Sequence, residues 1–195
     1  MGNGAGKLHP ASSRVLADGH QADDSPKNLN SYRITDDDRL GEGGPKQKFS
    51  QNLKAIEILR ALDAENRPAS PDEKALLVNY VGWGAMPQVF DVDSTTWHRE
   101  QIQLSEILSD EEHRSARATT LNAHYTAPVV IRSMYEAAQR FGFKGGQILE
   151  PASGIGHFIG LMPEAMLKNS AITGIEIDPL TSSRALSWIS CAPAI

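Results

Sequence analysis

The sequence predicts an α/β protein in which a helical N-terminal region precedes the first βαβ unit of a doubly wound parallel sheet. Apolar residues recur with helical spacing over residues 31–120. Two short apolar segments follow, joined by a glycine-bearing loop and a helix-like stretch. A strand, a loop, a helix and a second strand in this order are typical of parallel sheets.

The first 30 residues differ in composition from the rest. Residues 1–30 are rich in Gly, Ser, Asp, Asn and Ala, with almost no large apolar side chains. Such a segment buries too little apolar surface to offset the entropy of ordering, so we expect a disordered leader. Residues 31–120 then form the helical region, and residues 121–195 form an incomplete α/β domain.

A stripe of apolar residues predicts the first helix. Its members recur every three residues and place one apolar face over residues 45–66. They are Leu53, Ile56, Leu59 and Leu62. The carboxylates of residues 36–38, just upstream, have no spaced partners, so we interpret them as a solvated acidic turn rather than a metal site.

Capping boxes predict two further helices. A serine followed three residues later by a glutamate, as in residues 70–73 and 109–112, satisfies two backbone amides at a helix start. The first box predicts a helix to about Tyr80, and the second predicts one toward Arg117. Residues 97–108 predict a helix between them. Its apolar members are Ile102, Leu104, Ile107 and Leu108.

Trp83 lies between two glycines, Gly82 and Gly84, which end the preceding helix. A buried indole supplies a large contact area, so we interpret Trp83 as a structural anchor rather than a base-stacking surface.

The apolar pattern changes after Thr120. Residues 126–128 begin a helix, which the glycine-rich residues 141–146 end. Its predicted inner face is Ile131, Met134, Tyr135 and Ala138. Residues 147–149 then predict a short buried strand, 150–157 a loop, 158–168 a helix, and 171–178 a second strand that ends in acids.

The loop contains the first chemical signal. Gly154 and Gly156 leave the backbone open to a ligand at the head of the sheet. Glu176 follows Gly156 by twenty positions, where a βαβ unit presents an acid to ribose hydroxyls. A dinucleotide and S-adenosylmethionine (SAM) both carry an adenosine, so these residues leave both ligands open.

The loop itself favours SAM. A dinucleotide loop has a third Gly or Ala three positions after Gly156, but Ile159 stands there. Glu150, just before the glycines, would repel a pyrophosphate, whereas it would attract the ammonium of a methionine moiety.

Three ordered motifs resemble those of amino-methylating DNA methyltransferases. Residues 150–158 resemble their first SAM-binding motif, residues 124–128 resemble their Tyr-Thr-x-Pro element, and residues 176–179 resemble their acidic second-strand motif. The Tyr-Thr element precedes the SAM loop, which is typical of adenine-N6 enzymes of the gamma group. Over about residues 31–185 the chain resembles the start of the methylase domain in large phage- and plasmid-borne methylase/helicase proteins.

The resemblance implies a Rossmann-like SAM-dependent methyltransferase domain. Tyr125 and Thr126 would lie near the methionine end, and Glu150 would face its ammonium. Glu176 would hold the ribose, and Ile177 would lie against the adenine. The full set of implied cofactor-binding residues is Tyr125, Thr126, Glu150, Ala152, Gly154, Gly156, Glu176 and Ile177.

Three residues within or next to these motifs are interpreted as structural rather than cofactor-binding. We interpret Phe158 as a packing residue, Asp178 as a cap for a helix after Pro179, and His157 as a surface histidine.

The catalytic motif of the family does not occur in this sequence. That motif is an Asn/Asp-Pro-Pro-aromatic tetrapeptide, and the chain has no Pro-Pro pair. Residues 187–195 also look unlike the family's charged continuation, so we expect a C-terminally truncated domain that is inactive alone. DNA would then be bound through the complete protein, whose relatives have a downstream helicase region.

Two other functions remain open at this point. The chain could be a noncatalytic module that binds SAM or a partner protein. It could also be a fragment of a methyltransferase for another substrate, such as a glutamine side chain.

Composition excludes several other classes. A net charge of −5 and a pI near 5.7 provide no global attraction to phosphate, so DNA contacts would need a local basic patch or other parts of the molecule. The single cysteine, Cys191, cannot form an internal disulfide, and we expect a reducing cytoplasm. No apolar run approaches the ~20 residues that span a bilayer, so we expect no membrane segment.

Overall fold

The structure is a computed structural model that describes residues 32–121, 124–178 and 180–181. The predicted leader, Cys191 and residues 187–195 therefore lie outside the described residues. The helical part contains a 3₁₀ turn at Asp36–Asp38, α1 (Pro45–Glu65), α2 (Pro71–Leu77), 3₁₀ turns at Pro87–Phe90 and Thr95–Trp97, α3 (His98–Ile107) and α4 (Asp110–Thr119). The sheet part contains α5 (Pro128–Arg140), β1 (Gln147–Glu150), α6 (His157–Leu161), α7 (Glu164–Lys168) and β2 (Ala171–Gly174).

The predicted helix starts are confirmed. Ser70 and Ser109 each accept a hydrogen bond from the backbone amide three residues later, and each glutamate side chain bonds back to the serine amide. The predicted stripe of α1 faces the core as well, with Ile56 and Leu62 each 1% exposed, Leu59 6% exposed and Leu53 partly buried. Local hydrogen bonding and apolar spacing therefore determine these helices.

Trp83 is the centre of the core, as predicted for an anchor. Its side chain is 0% exposed, and its ring centre lies 5.6 Å from that of Phe90 and 6.3 Å from that of Phe49. Asn52 of α1 holds the turn around it. The Asn52 side-chain amide donates to the Gly82 carbonyl at 2.6 Å, and its carbonyl accepts from the Val81 amide at 2.9 Å.

The two strands pair in parallel, which confirms a βαβ unit. Gln147 aligns with Ala171, and Glu150 aligns with Gly174. The described part of the chain is thus a mixed α/β fold with a two-stranded parallel sheet. None of its helices combines the length and the apolar character needed to cross a membrane.

The helix predicted over residues 158–168 is wrong as a single element. It divides into α6 and α7 at Met162 and Pro163. A proline disfavours the helical region for the residue before it, and Met162 accordingly has the extended ψ of 136°. The second strand is also shorter than predicted, since it ends at Gly174 rather than Asp178.

Three predicted core residues are exposed, one of them Leu149, which is 60% exposed in β1 although this strand was predicted to be buried. Ile102 of α3 and Met134 of α5 are 47% and 53% exposed, so their assignment to inner faces is wrong. In each helix the buried face is narrower than the face that the apolar spacing predicts. It is centred on Leu104 in α3 and on Ile131 in α5, which are both 0% exposed.

The residues just before the acidic turn connect the helical part to the sheet part. The Ile34 amide donates to the Gly160 carbonyl at 3.1 Å, and the Arg33 guanidinium donates to the Ile159 carbonyl at 3.2 Å. Ile34 packs so closely on Gly160 that a Cβ there would lie 2.5 Å from it. The buried core is therefore continuous from α1 to β2.

Candidate cofactor-binding site

The candidate site forms where the two parallel strands end. Glu150 is the last residue of β1, and the Ile175 amide donates to its carbonyl at 2.8 Å. The Ser153 amide in turn donates to the Ile175 carbonyl at 3.0 Å. The segment after β2 consequently runs beside the glycine loop after β1.

Glu176 binds that loop directly. Its Oε2 accepts a hydrogen bond from the Gly154 amide at 2.6 Å, while Oε1 accepts from the Ile177 and Asp178 amides, both at 2.8 Å. A carboxylate offers about four acceptor positions, so roughly one is left. A ligand diol would use that position and would compete with the Gly154 amide for another.

The two loop glycines have different roles. Gly154 has a φ of +49°, and a Cβ on it would lie 3.3 Å from the Tyr125 hydroxyl. Gly156 has a φ of +86° and is buried at the start of α6, so it shapes the turn rather than the surface of the loop. Ala152, by contrast, is exposed.

Tyr125 packs beneath the loop among other rings. Its ring centre lies 6.1 Å from that of Tyr80 and 5.2 Å from that of His157. Burial, and then the charges near it, raise the pKa of the Tyr125 phenol well above its usual value. The phenol therefore stays protonated at neutral pH.

The structure brings together Tyr125, Gly154 and Glu176, whereas other predicted site residues stand apart from this contact. Glu150 is half-buried, and among the described residues its carboxylate accepts only a long 3.4 Å hydrogen bond, from the Ala152 amide. Ile177 is 95% exposed beside Glu176. Thr126 is half-buried and lines a neighbouring cleft.

That cleft has a volume of about 360 Å³ and lies between the helical part and the sheet part. It falls in the range of ~300–1,000 Å³ that is typical of small-ligand pockets. Its lining residues are Leu40, Gly41, Lys48, Val81, Gly84, Ala85, His124, Tyr125, Thr126, Ala127, Pro128 and His157. Glu176 and Gly154 do not line it, but Tyr125 does and also contacts Gly154, so the two features share one wall.

No family model, curated protein or solved structure matches this chain. Within the described residues, no group of three or more His, Cys, Asp or Glu side chains is arranged to hold a metal ion.

The prediction that His157 lies on the surface is wrong. Its side chain is 6% exposed, and Nε2 lies 2.7 Å from the Val78 carbonyl. A carbonyl only accepts, so Nε2 carries the proton in this bond. Burial lowers the pKa of His157, which leaves the imidazole neutral at neutral pH. His157 thus joins α6 to the end of α2.

Sequence reasoning also missed Tyr80. This residue is 2% exposed, and its hydroxyl has no hydrogen-bond partner within residues 32–121, 124–178 and 180–181. Burial, and then the charge of Asp178, raise the pKa of Tyr80. Its position directly before the Trp83 turn is the only sequence signal that could have placed it in the core.

The structural roles predicted for Asp178 and Phe158 are consistent with their contacts. Asp178 Oδ1 accepts from the Leu180 amide at 3.1 Å, while the helix that it was predicted to cap after Pro179 falls outside the described elements. Burial, and then the charge of Glu176, raise the pKa of Asp178. Phe158 is half-buried in α6 and contacts the ring of Tyr135, with 6.5 Å between ring centres.

Proposed function

We propose that this chain carries the cofactor-binding part of a SAM-dependent methyltransferase whose acceptor is an adenine of DNA. The observation that carries the proposal is the contact between Glu176, after β2, and the Gly154 amide, after β1, at 2.6 Å. In open α/β sheets, ligands bind beyond the carboxyl ends of the strands, which is where this contact lies.

The charges at this edge favour SAM over a dinucleotide. Within the described part of the chain, neither Glu150 nor Glu176 has an ion pair, and Asp178 lies close by. Uncompensated carboxylates repel a pyrophosphate, whereas they attract a ligand that carries a sulfonium and an ammonium. The same residues that would oppose NAD therefore support SAM.

The accessible surfaces also suit an adenosine. Ile177 is 95% exposed and gives an apolar surface for an adenine ring, next to the Glu176 carboxylate for the ribose. Gly154 adds no side chain above Tyr125. When bound, SAM would supply an electrophilic methyl group, and these residues would bind and orient it.

The DNA acceptor is proposed from the resemblance. The Tyr125-Thr126 element precedes the glycine loop in this chain, in the order typical of adenine-N6 enzymes. A base must leave the duplex to reach such a site, and the residues that would hold it belong to a motif that this sequence does not contain.

Replacing Glu176 by alanine tests the proposed cofactor. We expect the affinity for SAM to fall by about 1–3 kcal/mol, or about 5- to 150-fold, because charged hydrogen bonds to the ribose are lost. Isothermal titration calorimetry with SAM and with NAD measures both ligands on the same chain. NAD should bind more weakly than SAM.

Glu136→Gln is the matched control, because Glu136 is exposed on α5 and has no ion pair among the described residues. It should leave the affinity for SAM unchanged. Circular dichroism would show whether Glu176→Ala is folded. If it is folded and binds SAM as tightly as the wild-type chain, Glu176 does not belong to the site. Tighter binding of NAD than of SAM would overturn the proposal.

Methyl transfer by the 195-residue chain is expected to be absent. The sequence lacks the Pro-Pro-aromatic element, so no group positions the target amine even when SAM is bound. Incubation with SAM labelled in its methyl group and adenine-rich DNA should transfer no label above a control without protein. Reproducible labelling of adenine would show that another part of this chain performs the reaction.

A further inference from the structure

The cleft beside Tyr125 has a cationic wall and no acidic one. Lys48 of α1 lines it and is half-buried. No Asp or Glu occurs among its described lining residues, although the chain as a whole has a net charge of −5. A cleft of this composition is complementary to an anion.

Lys48 differs from its neighbour Lys46 in its contacts. The Lys46 ammonium lies 2.6 Å from the Glu100 carboxylate and 3.9 Å from the centre of the Trp97 ring. The Lys48 ammonium has no hydrogen bond or ion pair to any described residue. The residue is half-buried, and an anionic ligand in the cleft would give its ammonium the charged hydrogen bonds that no described residue supplies.

Neutral hydrogen-bonding groups surround this lysine. The hydroxyls of Tyr125 and Thr126 line the same cleft, and neither has a hydrogen-bond partner within the described part of the chain. His157 adds no second positive charge, because burial lowers the pKa of its imidazole and so favours the neutral form. Lys48 is therefore the charge that would select the ligand.

We propose that Lys48 binds the α-carboxylate of SAM, at the end of the cofactor opposite the adenosine. This inference rests on the proposed function. Tyr125 lines the cleft and lies beside Gly154, whose amide donates to Glu176, so a ligand whose ribose is held by Glu176 would extend toward the cleft along Tyr125. The carboxylate is the one anionic group of SAM. The cleft suits it, because the described residues that line the cleft include no Asp or Glu.

A set of four ligands tests the assignment on the full chain. S-adenosylhomocysteine and SAM carry the carboxylate, whereas decarboxylated SAM and 5′-methylthioadenosine lack it. Calorimetry of Lys48→Met should show about a tenfold loss of affinity for the first two ligands and no change for the last two. Lys144→Met is the matched control, because Lys144 is exposed and has no described partner. It should change none of the four affinities.

The outcomes separate this inference from the function on which it rests. If the wild-type chain binds SAM and Lys48→Met binds it equally well, Lys48 does not hold the carboxylate although the cofactor is correct. An equal loss for SAM and for decarboxylated SAM would also overturn the assignment, since the effect would not depend on the carboxylate. If the wild-type chain binds none of the four ligands, both the proposed function and this inference fail.

Discussion

Replacing Trp83 by alanine is expected to lower the free energy of unfolding by about 3–5 kcal/mol, which is the usual cost of removing a buried tryptophan. The indole is 0% exposed and lies between the rings of Phe49, Tyr80 and Phe90. The surrounding backbone cannot close the cavity easily, because Asn52 of α1 holds both Val81 and Gly82. Urea unfolding followed by far-ultraviolet circular dichroism measures the change.

Phe141→Ala provides the control for this change, because it also removes an aromatic ring. Phe141 is 90% exposed, so its loss should change the free energy of unfolding by less than about 0.5 kcal/mol. If the two variants unfolded at the same urea concentration, Trp83 would not anchor the core as described.

Replacing Gly145 by alanine is expected to destabilise the sheet by about 2–6 kcal/mol, because backbone strain and steric overlap each contribute ~1–3 kcal/mol. Gly145 has a φ of +131°, and a Cβ there would lie 2.6 Å from the Asn169 carbonyl oxygen. Each residue lies two positions before the first residue of a strand, so relief of the overlap would move β1 away from β2. The affinity for SAM should fall with it, because the Glu176 and Gly154 contact depends on that pairing.

Gly142→Ala separates the two contributions. Gly142 has a φ of +88°, but a Cβ on it would meet no atom within 4 Å. This variant should therefore show the strain alone, about 1–3 kcal/mol, and should keep its affinity for SAM. Equal destabilisation by the two substitutions, measured by urea unfolding, would show that steric overlap with Asn169 does not add to the cost of Gly145→Ala.

The sequence alone determined the local structure of this protein. The serine capping boxes, the apolar stripe of α1 and the glycines around Trp83 act through neighbours within a few positions along the chain. Hydrogen bonds and strain at that range depend on residue type and spacing, so the elements and their order could be predicted. The same holds for the parallel pairing of β1 and β2, since a crossover through helices is the usual connection of parallel strands.

The tertiary structure alone decided which side chains share a site. Neither the periodicity around Lys48 nor the motif around His157 assigns these residues to a common cleft, and they line the same one only because the tertiary fold brings α1, the Tyr125 segment and the start of α6 together. His157 is buried because Val78, 79 positions away, supplies its acceptor. Contacts at such separations depend on how helices pack, and many arrangements satisfy one apolar pattern. Sequence spacing therefore made Glu176 and the glycine loop candidates for a site, whereas the position of Lys48 in the neighbouring cleft required the packed structure.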